Sequence, residues 1–188
     1  LSGSGTDQQY LIWKEYGQNI EADLIILGVL VENIERNKVA YRESLNPYTK
    51  KNFLVPKPYF KLKKNKLELR NFPVPRIQSN LTEVDPDMIQ WAIPRDQELI
   101  YKLVNWSRRS KLFKPIRSNF DSFLKKLRSL VIRMTYQPYP DYGNRDSEGY
   151  ILMKEILAEF IRSLSSTPVI ILPIPTYHYY VDGAKPIY

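Results

Sequence analysis

The sequence predicts an α/β fold, a parallel sheet with helices on both faces in three layers. Two observations carry this. The runs Ala22–Val31 and Val169–Ile174 are apolar on both faces and read as strands covered on each side. A helical pattern precedes each run, and helix followed by buried strand, met twice, argues for an α/β layer fold.

Taken in order, "SGSGTDQQYLIWKEYG" opens with a glycine loop. "TDQQ" has the capping-box pattern, with Thr6 as N-cap and Gln9 three residues on. Asp7 in the first turn suits the helix dipole. A helix from Asp7 to Tyr16 follows, with Gly17 as its terminator. After the strand Ala22–Val31 the character changes. "KPYFKLKKNKLELRNFPVP" alternates around "KKNK" and reads as a polar hairpin, its pairing limited by Pro56, Pro58, Pro73 and Pro75. Leu99, Ile100, Leu103 and Trp106 suggest one helix. Phe120, Phe123, Leu124, Leu127, Leu130, Val131 and Met134 form a helical stripe, with the basic residues mostly opposite it. This block reads as a mainly helical insertion, or lid, that contains a β-hairpin. A last helix is capped by Asp146 or Ser147 and carries Met153, Ile156, Leu157, Phe160 and Leu164 on one face. It leads into the second strand, bracketed by Pro168, Pro173 and Pro175. The expected division is core 1–36, insertion 37–142 and core 143–188.

Composition narrows the function. The 188 residues fit one domain, and 43% hydrophobic with 26% charged residues supports a packed core. The absence of cysteine excludes a disulfide framework, thiolate metal sites and a cysteine nucleophile. No apolar run approaches the roughly 18–20 residues that span a bilayer, and no secretory signal peptide is visible. The net charge of +8 attracts anions, and the lysines of 50–66 and the basic residues of 108–133 concentrate it. The plain reading of both groups is solvated surface. No metal-ligand spacing, phosphate-binding loop or nucleic-acid motif is evident, so no metal and no nucleic acid are expected.

In open α/β sheets ligands bind beyond the carboxyl ends of the parallel strands. Gly3 and Gly5 precede a helix N-terminus, whose N–H groups suit an anion or oxyanion. Glu32 and Asn33 follow the first strand, and Tyr177 and His178, the sole histidine, follow the second. Each has a bland alternative as a turn, a cap or a surface residue. Their convergence on one sheet edge makes Glu32, Tyr177 and His178 binding candidates.

The order of segments resembles the SGNH/GDSL hydrolase superfamily, in a bacterial group with a large insertion after the asparagine block. "LSGSGTDQQYL" is similar to its glycine block, "GVLVENIERNKVAYR" to its asparagine block, and "VIILPIPTYHYY" to the strand after the insertion. The resemblance covers nearly the whole chain. It implies a flavodoxin-like sheet and acyl-transfer chemistry through serine, without a cofactor. Gly3 matches the glycine whose backbone N–H helps form the oxyanion hole. Asn33 matches the asparagine whose amide donates a second hydrogen bond there. One such donor lowers the barrier by roughly 3–4 kcal/mol. Ile34 stands where the family commonly has Asp.

The family's nucleophilic serine block and its Asp-x-x-His block find no match. Ser2 and Ser4 lie in the glycine loop, and His178 and Asp182 have the wrong spacing for the acid–base pair. Residues 1–188 are therefore expected to be the middle of a longer polypeptide. The implied substrate is an acylated glycan, a lipid ester or a small ester. The alternative is a non-catalytic SGNH-like domain that binds a glycan or a partner protein. The basic amphipathic block also suits attachment to an anionic membrane surface.

Overall fold

The computed structural model describes residues 4–64, 66–75, 84–90, 139–164 and 167–175, with the single positions 102, 122, 123, 126 and 130. Helix α1 spans Thr6–Glu15. Its N-cap is Gly5, one residue earlier than the capping-box reading, and Gln8 rather than Gln9 reaches back to the Gly5 N–H (3.3 Å). Thr6 is fully buried, so its hydroxyl faces inward instead of capping. Gln9 donates instead to the Gly28 carbonyl at 3.0 Å, tying α1 to the first strand. The helix ends against a 3₁₀ turn, Gly17–Asn19, where a Cβ on Gly17 would come within 2.1 Å of the Trp13 ring.

Strand β1 (Ile25–Leu30) pairs in parallel with Val169–Ile174, the strand β7, from Ile25 opposite Val169 to Leu30 opposite Ile174. The sixteen-residue helix α3 (Glu148–Ser163) precedes β7. Ser147 is its cap, accepting the Tyr150 N–H at 3.2 Å, which decides between the two candidate caps. Leu152, Met153, Ile156, Phe160 and Leu164 pack with Tyr10, Leu27, Val29, Ile34 and Phe60 into one core. The Tyr10 ring lies 5.8 Å from Phe60 and 5.9 Å from Phe160, both tilted, a favoured aromatic geometry.

The expectation of strands covered on both faces is corrected. Side chains alternate, so Leu27 and Val29 face the core while Ile26, Ile170 and Leu172 point to the opposite face. Those three are 63%, 51% and 52% exposed. Among the described residues this sheet has two strands.

The described part of the segment between the parallel strands carries strands besides the expected hairpin. A short helix α2 (Asn33–Arg36) leads to β2 (Tyr41–Leu45), which pairs antiparallel with β3 (Asn52–Pro56). A two-residue strand β6 (Ile89–Gln90) adds in parallel to β2. Strands β4 (Tyr59–Lys63) and β5 (Lys66–Arg70) form the hairpin read from "KKNK". Its inner side chains Phe60, Leu62, Leu67 and Leu69 pack against the core. The helices read at 99–106 and 120–134 fall largely outside the described residues. Lys102, Ser122, Phe123, Lys126 and Leu130 are helical.

The chain divides into two compact units, and the antiparallel strands belong with the parallel pair in the first, Leu1–Gln90 with Pro138–Thr176 and Ile187–Tyr188. Trp91–Gln137 and Tyr177–Pro186 form the second. Among the described residues no helix is long and apolar enough to cross a membrane.

The two faces of the sheet predict two outcomes. Ile156→Ala, at a fully buried site, lowers the unfolding free energy by about 2–5 kcal/mol in denaturant titration. Ile170→Ser, on the uncovered face, changes it by less than about 0.5 kcal/mol. Equal losses would place the core elsewhere.

Candidate functional site

The polar end of β1 needs no glycine turn. The Val31 N–H makes a last rung to the Ile174 carbonyl at 3.0 Å. Glu32 then adopts helical dihedrals (φ −70°, ψ −9°), which turns the chain into α2 and points Asn33 inward. Asn33 is fully buried, and its Nδ2 donates to Thr6 Oγ1 at 3.1 Å. The glycine and asparagine segments, 27 residues apart, thus meet at the N-terminus of α1.

Around this contact lies a buried polar cluster. Asn37, at the end of α2, accepts the Asp7 N–H through Oδ1 (3.1 Å) and turns its Nδ2 to Met153 Sδ (3.1 Å). Asp7 Oδ1 accepts the Gln8 N–H at 2.8 Å, and Asp7 Oδ2 accepts from Lys57 Nζ at 2.5 Å. Lys57 enters from the β3–β4 connection. Its N–H donates to the Ala40 carbonyl (2.9 Å), and its own carbonyl accepts from Asn71 Nδ2 (3.2 Å). Asp7 is fully buried and Lys57 is 6% exposed. A Cβ on Gly5 would lie 2.4 Å from Asp7 Oδ1 and 2.8 Å from Asn37 Oδ1, so only glycine fits that close approach.

Burial drives the electrostatics. Desolvation raises the Asp7 carboxyl above its ordinary value, against the attraction and hydrogen bond of Lys57. Desolvation lowers the Lys57 ammonium, helped by Arg36 and opposed by Asp7. At the rim Arg36 pairs with Glu32, and Lys38 bridges Glu35 (2.7 Å) and Asp141 (2.9 Å). Burial works to lower Lys38, but its bonds to those two carboxylates prevail and raise it.

Of the residues singled out by sequence, Asn33 and Glu32 lie at this junction, Glu32 held by Arg36 rather than projecting alone. Gly3, Tyr177 and His178 lie outside the described residues. The N–H groups of Gly5, Asp7 and Gln8 in this turn of α1 are each taken up by a side chain. The sequence reading missed Asn37 and Lys57. Lys57, which the sequence places among solvated lysines, is buried. Its flanking prolines, Pro56 and Pro58, were the only signal that this lysine sits on a constrained segment. Among the described residues no three His, Asp or Glu side chains cluster to hold a metal ion.

No protein-family model, no curated protein and no solved structure matches the chain.

The pair predicts a pH-dependent defect. Lys57→Met leaves Asp7 buried without a counter-charge and costs about 3–5 kcal/mol near neutral pH. Without Lys57, Asp7 loses the partner that held its pKa down, so the carboxyl protonates at still higher pH in the folded state. The defect is therefore largest at neutral pH and narrows as pH falls through that raised value. Urea titrations between about pH 4 and pH 8 measure it, and a pH-independent defect would remove Asp7 as its source.

Proposed function

We propose that the junction of α1 and α2 is the oxyanion side of an SGNH-type ester hydrolase or acyl-transfer site, with Asn33 as the side-chain donor. One observation carries this reading: Asn33, just past the carboxyl end of a parallel strand, meets the first residue of the helix that follows the glycine loop. That is the convergence the resemblance implies between its glycine and asparagine blocks. In this reading the sheet is flavodoxin-like, residues 37–142 are an insertion, and Gly3 supplies the backbone donor. The serine and the acid–base pair belong to blocks that this sequence does not match. The substrate is an ester, such as an acylated glycan.

In such a site the carbonyl oxygen of the ester gains negative charge as the nucleophile adds. A fixed amide N–H stabilises that charge without having to reorganise. Asn33 is suited to this because it is buried where α1 and α2 meet, which confines its amide to the junction. An exposed asparagine would lose orientation freedom on each turnover.

A second reading is a non-catalytic domain that binds a glycan or a protein. The full burial of Asn33, with its amide engaged by Thr6, favours it. The two readings differ in one assay. The polypeptide that carries this sequence at its natural length should hydrolyse p-nitrophenyl acetate, and Asn33→Ala should lower kcat by about 10²–10³ with little change in KM. Absence of turnover, or an unchanged Asn33→Ala variant, would leave the binding reading.

A further inference from the structure

The β4–β5 hairpin carries its charge in a way that folding does not explain. Its inner face, Phe60, Leu62, Leu67 and Leu69, is packed on the core, which holds the outer face rigidly outward. That outer face bears Lys61, Lys63, Lys66, Glu68 and Arg70, and Lys64 stands at the turn. Five cations share one carboxylate, Glu68, which Lys63 (3.4 Å) and Arg70 both engage.

Two features of this arrangement are unfavourable for the fold. Lys63 lies directly opposite Lys66 in the ladder, and like charges in that position repel. Lys64 sits at φ 50°, a left-handed conformation that glycine or asparagine adopts with less steric penalty. Glu68 offsets part of the Lys63 charge, and a two-residue hairpin turn calls for the positive φ at Lys64, but no carboxylate pairs with Lys66 among the described residues. Lys61, Lys64 and Lys66 are exposed and make no ion pair among the described residues. Lysines without a partner carboxylate on a rigid outward face leave positive charge open to an external anion.

We propose that the outer face of this hairpin binds an acidic polysaccharide. Its geometry suits a linear polyanion: side chains recur about every 7 Å along each strand, in two rows about 5 Å apart. Its chemistry separates the polyanions. The cations near the turn are all lysine, hydrated point charges that neither stack nor grip a phosphate in a fork. The face has a single ring, Tyr59, at the end away from the turn, so it lacks the aromatic platform that single-stranded nucleic acid stacks on. No apolar side chain interrupts the lysines to enter a bilayer, and the exposed Phe72 lies past Arg70, away from the turn. Carboxylate groups spaced along a hydrated chain fit what remains. This inference stands independently of the acyl-transfer reading.

The test uses fluorescently labelled polygalacturonate and the purified protein, with binding followed by anisotropy. Binding should weaken at least tenfold between about 50 mM and about 200 mM salt. The variant Lys61→Gln/Lys64→Gln/Lys66→Gln, all exposed positions, should bind at least tenfold more weakly at the lower salt. The control Lys50→Gln/Lys51→Gln/Lys154→Gln, which removes the same charge elsewhere, should stay within twofold of the parent. Circular dichroism shows that both variants are folded. Failure of the parent to bind, or equal losses in the two variants, would overturn the proposal. Tighter binding of single-stranded DNA or phosphatidylglycerol vesicles than of the polysaccharide would overturn it as well.

Discussion

Lys57 reaches Asp7 across 2.5 Å in a region where neither side chain meets solvent to any extent. Three separate segments are joined there. Asp7 belongs to α1, Lys57 to the link between β3 and β4, and Asn37, which holds the Asp7 N–H, to the end of α2. A two-stranded parallel sheet is too small to stand by itself. The antiparallel strands therefore serve the core as structure, through Phe60 and the hairpin leucines below and through this ion pair at the site. The pair specifies how the segments meet more than it stabilises them. The Asp7 carboxyl is raised, so the stability it contributes is present at low pH and is lost as pH rises through its folded value. The Lys57 ammonium is lowered, so its contribution is present at high pH and is lost as pH falls through its folded value. For both groups desolvation outweighs the mutual attraction, so burial of the charged pair costs more than the pairing returns. Removing one partner would leave the other buried and uncompensated.

The legible parts of the chain were those where a local pattern and the packing agree. The stripe Met153, Ile156, Phe160 and Leu164 faces the core, and the second strand has the bounds Val169–Ile174 that its prolines suggest. The hairpin followed from alternation about "KKNK", because period-two patterning and a tight turn are both local. What failed depended on distant contacts. Thr6 has every local mark of an N-cap, yet Asn33 comes from 27 residues away to claim its hydroxyl, and the helix begins one residue earlier. Lys57 looks like its neighbours in composition, and only the carboxylate of Asp7, 50 residues away, draws it inside.

Strand coverage failed for a different reason. An apolar run reports that both faces of a strand can be buried, not what buries them. Ile26, Ile170 and Leu172 keep the apolar character of a covered face while 51–63% of their surface is exposed. The pattern in the residues is therefore richer than the contacts the described structure makes with them.

At the candidate site the decisive atom is Asn33 Oδ1. It is buried and has no hydrogen-bond partner among the described residues, an arrangement that costs roughly 1–3 kcal/mol. Thr6 Oγ1 can donate as well as accept, so half a turn of the Asn33 amide would preserve their contact with the roles reversed. Nδ2 would then face the direction in which Oδ1 now lacks a partner. In that orientation the unmet need is for an acceptor rather than a donor, and a negatively charged oxygen is the strongest acceptor that could meet it. The contact with Thr6 therefore admits two orientations of the Asn33 amide, and the difference between them is a rotation about a single side-chain bond.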